Sequence, residues 1–365
     1  MRADTFLRQL LDHGMGPFTG VPCALIKELI IAVEQSDETQ YIIASSEGEA
    51  MGLAGGFALA GRTPVVMMQN DGFGNVVNPL TSLQQLYRLP ALLIVTWRAE
   101  PGTKLDAPQH WIMGAKLLGL LELLEVPVTI LEDDEAATAQ ALETARRSMD
   151  AQQKPYALVV RRGLFEAGPA PAPPSGDQPL RQDYIQAVSE WVAPGDIVLG
   201  TTGYTGRELR QVMTQGGAFY TAGSMGCIGS VGLALALEQP NRQVVVLDGD
   251  GALLMKLGTL ATIGLYQPGN LVHIVFDNGQ YESTGGQPTA ARAVDFAGLA
   301  INSGYRKATS VASLAEFAGF LSTARTEPGP LLCHVRVQPG TQPGLARPTE
   351  SPVALRDELQ ALIAS

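Results

Sequence analysis

A strand–turn–helix–strand pattern in the second half of this 365-residue chain limits its possible folds more than any other feature. The β-branched run Val244-Val245-Val246 leads into Leu247-Asp248-Gly249-Asp250-Gly251, a helical stretch follows over 252–266, and the apolar segment 271–276 ends in Asp277-Asn278-Gly279. Strands joined by a helix run parallel, so Asp250 and Asn278 both lie at carboxyl ends of strands. Open α/β sheets bind ligands at that edge.

Asp250 and Asn278 together predict a magnesium site. One carboxylate and one amide oxygen suit Mg²⁺, a hard ion that keeps several waters and shares phosphate oxygens. Two ordinary strand-end turns are the alternative, because Gly, Asp and Asn are common turn residues. The paired occurrence in a strand–helix–strand context favours the metal. A calcium-binding loop fits poorly, since Asp248-Gly249-Asp250 lacks the further ligands and the closing Glu of that loop.

Composition excludes several classes of protein. The net charge is −11 and no basic run occurs, which argues against nucleic acid as the main partner. The three cysteines are scattered, so neither a disulfide framework nor a zinc site is indicated. Charged residues within the first 16 positions argue against a signal peptide, and no apolar stretch is long enough to span a bilayer. We therefore expect a soluble, cytoplasmic protein.

The chain reads as two similar halves on either side of a proline-rich segment. Residues 166–180 have no apolar periodicity and predict an extended linker. Alternating strand-like and helix-like segments predict α/β architecture, with two doubly wound parallel-sheet domains over 1–165 and 181–365. The predicted strands lie near 40–44, 64–69, 91–97, 127–131, 156–160, 197–200, 244–247, 271–276 and 331–337. The predicted helices cover 23–34, 47–60, 115–124, 135–149, 183–192, 228–237, 252–266, 313–326 and 352–364.

A second polar turn, Ser45-Ser46-Glu47-Gly48-Glu49, opens a helix of small residues. Helix capping explains Ser46 and one acidic group, since Ser is a favoured N-cap and acids favour the first turn. Capping does not explain the small residues at 52, 54, 55, 56 and 58, which indicate the close approach of another backbone or a ligand.

These motifs, with the 26 residues that separate Gly251 from Asn278, resemble those of the short, two-domain thiamine diphosphate-dependent decarboxylases. The resemblance covers nearly the whole chain. In the first half it rests on 20–23, 46–50, 69–70, 74–75, 78–83, 96–98 and 108–110, and in the second on 201–203, 206–209, 223–226, 249–251, 277–278 and 282–289. The chain departs from the longer pyruvate decarboxylases, because it has no adjacent pair of histidines and carries Thr284 where an acid is expected.

The resemblance implies thiamine diphosphate and Mg²⁺ as cofactors, and it assigns a role to several residues. Glu47 would bond N1′ of the cofactor's aminopyrimidine ring, with Glu49 as the weaker candidate. Gly203 would present its carbonyl to the 4′-amino group, although it also fits a simple turn glycine. Met225 would lie beneath the bent cofactor, although an ordinary core methionine explains it equally well. The remaining cofactor and metal residues by resemblance are Ser224, Gly249, Asp250, Gly251, Asn278 and the backbone carbonyl of Gln280.

The activity implied by the resemblance is the decarboxylation of a 2-keto acid, with 3-phosphonopyruvate giving phosphonoacetaldehyde and carbon dioxide in phosphonate metabolism. Sulfopyruvate or another 3-substituted pyruvate is an alternative substrate, and a non-catalytic cofactor-binding subunit is an alternative of another class. The resemblance also implies a homo-oligomer, at least a dimer with shared active sites. Neither nucleic acid nor membrane is expected as a partner.

A doubly anionic substrate needs basic groups. The candidates are Arg98, His110, Lys104 and Lys256, each of which also fits a solvated surface charge. Arg98 and His110 lie in blocks that carry the resemblance, and His110 is also a candidate catalytic residue. Asp71 is an acid where the resemblance implies a small residue: facing the substrate it would weaken the implied specificity for an anion, and we favour its interpretation as a turn residue. The other histidines, His13, His273 and His334, are expected to be structural.

Overall fold

The computed structural model describes residues 1–104, 106–168, 178–213, 217–346 and 348–365. The chain divides into two compact units, one of Met1–Pro171 with Thr284–Gln287 and the other of Ala172–Ser283 with Pro288–Ser365. Part of the predicted linker, 169–177, lies outside the described residues, and the limits proposed for the domains stay a prediction.

The first unit is a six-stranded parallel sheet with helices on both faces. Its strands run in the order β2-β1-β3-β4-β6-β5 and are β1 (Met15–Gly20), β2 (Tyr41–Ile43), β3 (Thr63–Gln69), β4 (Leu92–Thr96), β5 (Val128–Ile130) and β6 (Tyr156–Val160). Its helices are α1 (Ala3–Asp12), α2 (Lys27–Glu34), α3 (Glu47–Leu59), α4 (Phe73–Pro79), α5 (Trp111–Leu123) and α6 (Glu135–Gln152).

Alternation along the central strands divides the core of this unit into two layers. Val65, Met67 and Leu92 belong to one apolar cluster, whereas Val66 and Leu93 belong to the other. Successive side chains of a strand point to opposite faces of the sheet. A strand covered on both faces is therefore apolar at every position, which explains the continuous apolar runs in the sequence.

The second unit repeats this architecture. Its strands run in the order β13-β14-β10-β9-β7-β8 and are β7 (Ile197–Gly200), β8 (Ala218–Tyr220), β9 (Val244–Gly249), β10 (Leu271–Asp277), β13 (Lys307–Val311) and β14 (Leu331–Arg336), with β11 (Gln280–Tyr281) and β12 (Gln287–Pro288) outside that sheet. Its helices are α7 (Arg181–Trp191), α8 (Tyr204–Val212), α9 (Ile228–Glu238), α10 (Asp250–Met255), α11 (Gly258–Tyr266), α12 (Phe296–Asn302), α13 (Leu314–Thr326) and α14 (Pro352–Ala364).

Both sheets share one topology. Numbered in chain order within each six-stranded sheet, the strands of both sheets run 2-1-3-4-6-5, and every pair in the two sheets is parallel. The direction of winding reverses between the first and third strands, so the switch points are β1/β3 and β7/β9. Ligands of doubly wound sheets bind at the carboxyl ends of strands beside such a point. The topology therefore singles out the residues that follow Gly20, Gln69, Gly200 and Gly249.

The predicted fold class is confirmed, and each predicted strand is present within about three residues. The sequence did not reveal β1, β8 or β13. Strand β1 contains two glycines and a proline, β8 has three residues, and β13 is a largely exposed edge strand of sequence KATSV. None of these shows the apolar run on which strand prediction depends.

The single helix predicted over 252–266 is wrong. The structure has α10 and α11 there, separated at Lys256, whose φ of −134° and ψ of 46° leave the helical region. Apolar periodicity continues across the break, so the pattern alone could not reveal it. Among the described helices, none combines the length and the apolarity needed to cross a membrane.

Helix α11 packs closely on the residues that follow α12 through Gly264. A Cβ at Gly264 would lie 1.7 Å from the backbone oxygen of Ser303. We therefore expect Gly264→Ala to lower the free energy of unfolding by about 1–3 kcal/mol, the usual range for overpacking. Gly258→Ala is the matched control in the same helix, since a Cβ there meets no atom within 4 Å. Urea unfolding measures the stability of both variants. If Gly264→Ala were as stable as the wild type, the close packing at Gly264 would be contradicted.

Candidate active site

Glu47 is the buried carboxylate of the first unit. It begins α3 and is 5% exposed. Ser46 caps the helix as predicted, because its Oγ accepts a hydrogen bond from Glu49 N at 3.2 Å. Asn75 Nδ2 donates to Glu47 Oε2 at 2.8 Å. The neighbouring acid, Glu49, is exposed and its Oε2 accepts from Ser45 N. The fold therefore buries the acid that the resemblance singled out and leaves the other at the surface.

Gly72 makes room for the Glu47 carboxylate. A Cβ at this position would lie 2.1 Å from Glu47 Oε1 and 2.5 Å from its carboxyl carbon. The turn at Asn70–Gly72 directly follows β3. The chain at the carboxyl end of this strand therefore packs against the Glu47 carboxylate. Of the small residues in α3, Gly55 is closely approached by the Leu83 side chain, whereas a Cβ at Gly52 or Gly56 meets no atom within 4 Å.

Asp71 does more than form a turn. Its Oδ2 lies 2.7 Å from Nδ1 of His110, which is buried, and it also accepts from Gln69 Nε2 at 2.7 Å. Asp71 therefore lies in a turn, at Asn70–Gly72, as predicted, and in addition contacts a histidine. The sequence could not reveal the pair, because 39 residues separate Asp71 from His110.

The Asp71 pair continues into a chain of polar side chains. Gln69 Oε1 accepts from the thiol of Cys23, with an S–O distance of 3.6 Å, and Cys23 Sγ lies 3.2 Å from Thr96 Oγ1. Burial raises the pKa of the Cys23 thiol. The network brings together residues at the carboxyl ends of β3 and β4 and one that follows β1.

Arg98 is already paired. Its Nε and Nη2 donate to the two carboxylate oxygens of Asp106 at 2.6 and 2.7 Å, and the Asp106 side chain is 6% exposed. This bidentate pair holds the pKa of Asp106 well below its usual range, although burial acts in the opposite direction. The fork that we expected to face a substrate therefore binds an internal carboxylate. Lys104 is exposed, which agrees with its interpretation as a solvated surface charge.

Asp250 is the buried carboxylate of the second unit. It opens α10 at the end of β9, is 4% exposed, and accepts from Thr289 Oγ1 at 2.6 Å. Burial, with repulsion from Asp277, raises the pKa of the Asp250 carboxyl to about 7, although the Thr289 hydrogen bond acts in the opposite direction. No basic side chain of the described residues forms an ion pair with Asp250. A buried carboxylate without a cationic partner is costly, and a bound cation would remove that cost.

Asn278 lies at the end of the neighbouring strand, β10. Its Oδ1 accepts from Gln280 N at 3.0 Å and its Nδ2 donates to Glu282 Oε2 at 3.1 Å. Asp277, one residue earlier, lies 2.9 Å from His334 Nε2; burial would raise its pKa, but the contact with His334 lowers it. Within the described residues, no group of three or more His, Cys, Asp and Glu side chains could hold a metal. A cation here would need amide and backbone oxygens besides Asp250.

The other predicted cofactor residues surround the same edge of the second sheet. Gly203 precedes α8 with φ of 90°, a conformation that favours glycine. A Cβ at Gly251 would lie 2.7 Å from the Tyr281 ring, so this turn also needs a glycine. Ser224 is exposed with φ of 52°, and Met225 is half-buried. Lys256 is exposed, and its stem lies against Gly226.

The other histidines have structural partners, as expected. His13 Nδ1 lies 2.7 Å from Gln9 O at the end of α1. His273 is fully buried between Tyr305 and Asp248, and His334 lies between Ser310 and Asp277.

Sequence reasoning missed several residues that position these groups: Asn75, Asp71, Thr289, Arg181, Glu208 and Glu282. Four of them lie within blocks that carry the resemblance: Asn75, Glu208, Glu282 and Thr289. The resemblance therefore identified their segments but did not indicate what these side chains contact. Asp71 adjoins one such block. Arg181 lies outside all of them, and no local signal identifies it.

Comparison with known proteins agrees with this geometry. Residues 2–117 match the thiamine pyrophosphate enzyme N-terminal TPP binding domain, and residues 199–335 match the thiamine pyrophosphate enzyme C-terminal TPP binding domain. The chain belongs to the thiamine pyrophosphate enzyme family, in which thiamine diphosphate is the cofactor.

Curated relatives narrow the group. A phosphonopyruvate decarboxylase of Streptomyces viridochromogenes is 38% identical over 97% of this chain and 93% of its own length. A phosphonopyruvate decarboxylase of Streptomyces hygroscopicus is 37% identical over 96% of this chain and 91% of its own length. A sulfopyruvate decarboxylase of Methanosarcina acetivorans is 28% identical over 74% of each chain.

Gly72 offers a test of the Glu47 geometry that leaves Glu47 itself unchanged. Gly72→Ala should lower cofactor-dependent turnover by about 10²-fold, because a Cβ would displace a carboxylate whose placement matters at the ångström level. Gly119→Ala in α5 is the control, since a Cβ there meets no atom within 4 Å. Steady-state assays of both folded variants measure this turnover. Wild-type turnover of Gly72→Ala would contradict the proposed role of the Glu47 carboxylate.

Proposed function

We propose that this protein is a thiamine diphosphate- and Mg²⁺-dependent decarboxylase that converts 3-phosphonopyruvate to phosphonoacetaldehyde and carbon dioxide. The observation that carries the choice of substrate is the 37–38% identity to two phosphonopyruvate decarboxylases along nearly the whole chain. The sulfopyruvate decarboxylase is 28% identical and covers 74% of the chain.

The residues of the first unit fit the aminopyrimidine ring of the cofactor. Thiamine diphosphate, when bound, would supply a nucleophilic carbon and an electron sink for the electron pair that remains when carbon dioxide leaves. Glu47 is buried, faces no basic partner among the described residues and is fixed on one oxygen by Asn75. Such a carboxylate can hold a proton against a ring nitrogen. We assign Glu47 the N1′ contact, where a proton is shared between its Oε1 or Oε2 and the ring.

The residues of the second unit fit a magnesium diphosphate. Asp250 is a buried carboxylate that lacks an ionic partner within the described chain, and Asn278 and Gln280 supply neutral oxygens from the end of the next strand. This donor set is typical of Mg²⁺. Gly249 and Gly251 flank Asp250 and allow the diphosphate to approach the backbone closely. Further proposed contacts with the cofactor come from Gly203, Ser224 and Met225.

His110 is our proposed catalytic and substrate-binding residue. An ionised Asp71 only accepts hydrogen bonds, so the Nδ1 that faces it carries a hydrogen. That leaves Nε2 as the nitrogen that exchanges a proton or contacts an anion. When the ring is protonated, Nε2 also carries a hydrogen and can donate it to an anionic substrate.

Arg98 is a weaker candidate than the sequence indicated. Two of its donors already bind Asp106, and Asp106 also accepts from Arg162 Nη2 at 2.9 Å. Lys104 and Lys256 are exposed and remain reserve candidates. Because the whole chain carries a charge of −11, attraction of a dianion depends on such local groups.

We further propose a cytoplasmic homo-oligomer, at least a dimer with shared sites, that acts on a small 2-keto acid without nucleic acid or membrane. Large exposed apolar side chains in the first unit support a subunit interface: Leu59, Leu86, Tyr87, Ile112 and Leu123.

Product release from a panel of 2-keto acids tests the function. With thiamine diphosphate and Mg²⁺, the protein should release carbon dioxide from 3-phosphonopyruvate with a higher kcat/KM than from sulfopyruvate or pyruvate. Glu47→Gln should lower kcat by about 10²–10⁴-fold, the usual contribution of a group that handles a proton. Glu49→Gln is the matched control on the exposed acid.

Three outcomes of this panel would contradict different parts of the proposal. A preference for sulfopyruvate would correct the substrate and leave the chemistry intact. Absence of turnover on every acid would favour the cofactor-binding subunit. Near-normal turnover in Glu47→Gln with loss in Glu49→Gln would overturn the Glu47 assignment.

Removal of the His110 ring should separate binding of the substrate's tail from chemistry. If Nε2 contacts the tail, His110→Asn should raise KM for phosphonopyruvate about ten- to hundredfold more than for pyruvate, as expected for a lost charge-assisted hydrogen bond of about 1.5–3 kcal/mol. His13→Asn is the control, since His13 lies at the end of α1 against Gln9 O and near Glu143. Equal losses on both substrates would limit His110 to the shared chemistry.

A further inference from the structure

A buried ion-pair cluster in the second unit lies beside Asn278. Arg181, the first residue of α7, donates from Nε and Nη2 to the two oxygens of Glu208, at 2.6 and 3.1 Å. Its Nη1 donates to Glu282 Oε2 at 3.1 Å. The Arg181 side chain is 7% exposed and that of Glu208 is fully buried. One guanidinium therefore holds two carboxylates, from α8 and from the segment after β11.

Glu282 connects this ion-pair cluster to the side chain of Asn278. Its Oε2 accepts from Asn278 Nδ2 at 3.1 Å as well as from Arg181, and its Oε1 accepts from the backbone N of Gly340. Glu282 thus ties α7, the end of β10 and the chain after β14 together through one carboxylate.

The two contacts of the Asn278 amide determine which way it faces. An ionised carboxylate accepts only, so the amide nitrogen must point to Glu282. The backbone N–H of Gln280 donates only, so the amide oxygen must point to Gln280. A reversed amide would place oxygen against carboxylate and hydrogen against hydrogen, and both contacts would become repulsive.

We propose that Glu282, held by Arg181 and Glu208, is a positioning residue that keeps the Asn278 amide oxygen turned toward the metal site. The inference rests on the proposed function, which places Mg²⁺ on Asp250 and Asn278. The cluster also contributes one net negative charge, from two carboxylates and one guanidinium, which favours a cation nearby. Groups that orient metal ligands affect metal affinity by about 10–100-fold.

The test measures Mn²⁺ affinity by electron paramagnetic resonance in the presence of thiamine diphosphate, using the full chain. Glu282→Gln keeps the shape of the side chain, but one of its two acceptor oxygens becomes an NH2 group and the negative charge that pairs with Arg181 is lost, so the Asn278 amide is held less firmly in its orientation. We expect Mn²⁺ to bind about 10–100-fold more weakly. Glu350→Gln is the matched control, because Glu350 and Glu358 pair with the buried Arg210 in the same way, on the same unit.

A double variant distinguishes orientation from stability. Asn278→Asp replaces the amide by a carboxylate whose two oxygens are equivalent, so no group is needed to turn it. In that background Glu282→Gln should leave Mn²⁺ affinity unchanged or improve it, because it removes repulsion between two carboxylates. A purely structural role of Glu282 would instead give the same loss in both backgrounds and would overturn the inference, as would wild-type affinity of the single variant.

Two further variants keep the outcomes separate. Asp250→Ala should lose Mn²⁺ binding; if it binds like the wild type, the proposed metal site itself is wrong. If Asp250→Ala loses binding and Glu282→Gln does not, only the role of Glu282 fails. Should Glu282→Gln not fold, Glu282→Asp keeps the charge, withdraws both oxygens by one methylene and is expected to show the same weakened binding.

Discussion

The need to satisfy buried carboxylates at the ends of parallel strands governs this molecule. Strands that are covered on both faces leave their carboxyl ends as the edge where polar chemistry can be placed. Both Glu47 and Asp250 are buried: Asp250 follows β9 at a switch point, whereas Glu47 follows the edge strand β2 and lies against Gly72 in the turn after β3. Each is incompletely compensated within the described chain, since Asn75 and Thr289 offer neutral donors. A thiamine ring for one and a cation for the other would complete these two environments.

The two units have the same sheet topology and differ in the polar groups at the carboxyl edge of the sheet. In the first, Asp71 orients His110, and Gly72 leaves space for Glu47. In the second, Arg181 and Glu282 orient Asn278. In both, a charged group away from the proposed ligand fixes the atom that would face it. Preorganisation of this kind lowers the cost of ordering these groups when the cofactor and substrate bind.

Internal ion pairs decide which basic residues are free for a substrate. Arg98 is an anion-binding candidate in the sequence, yet it binds the carboxylate of Asp106, and Arg181 binds the carboxylates of Glu208 and Glu282 in its own unit. Their role is to hold loops and neighbouring side chains. His110, whose Nε2 is directed by the contact of Nδ1 with Asp71, is left as the strongest candidate for the tail of a dianionic substrate.

Local sequence signals were enough to predict the α/β class, the parallel sheets, most strands and the positions of Glu47, Asp250 and Asn278, because apolar runs and Gly-Asp-Gly turns are visible in the sequence. Their roles stay predictions. Three facts about the site came from the folded chain: Glu47 is buried while Glu49 is exposed, Asp71 pairs with His110, and Arg98 pairs with Asp106. The tertiary structure also broke the helix predicted over 252–266. These facts depend on contacts between residues far apart in the chain, or on packing against a neighbouring segment, and neither leaves a mark in local periodicity.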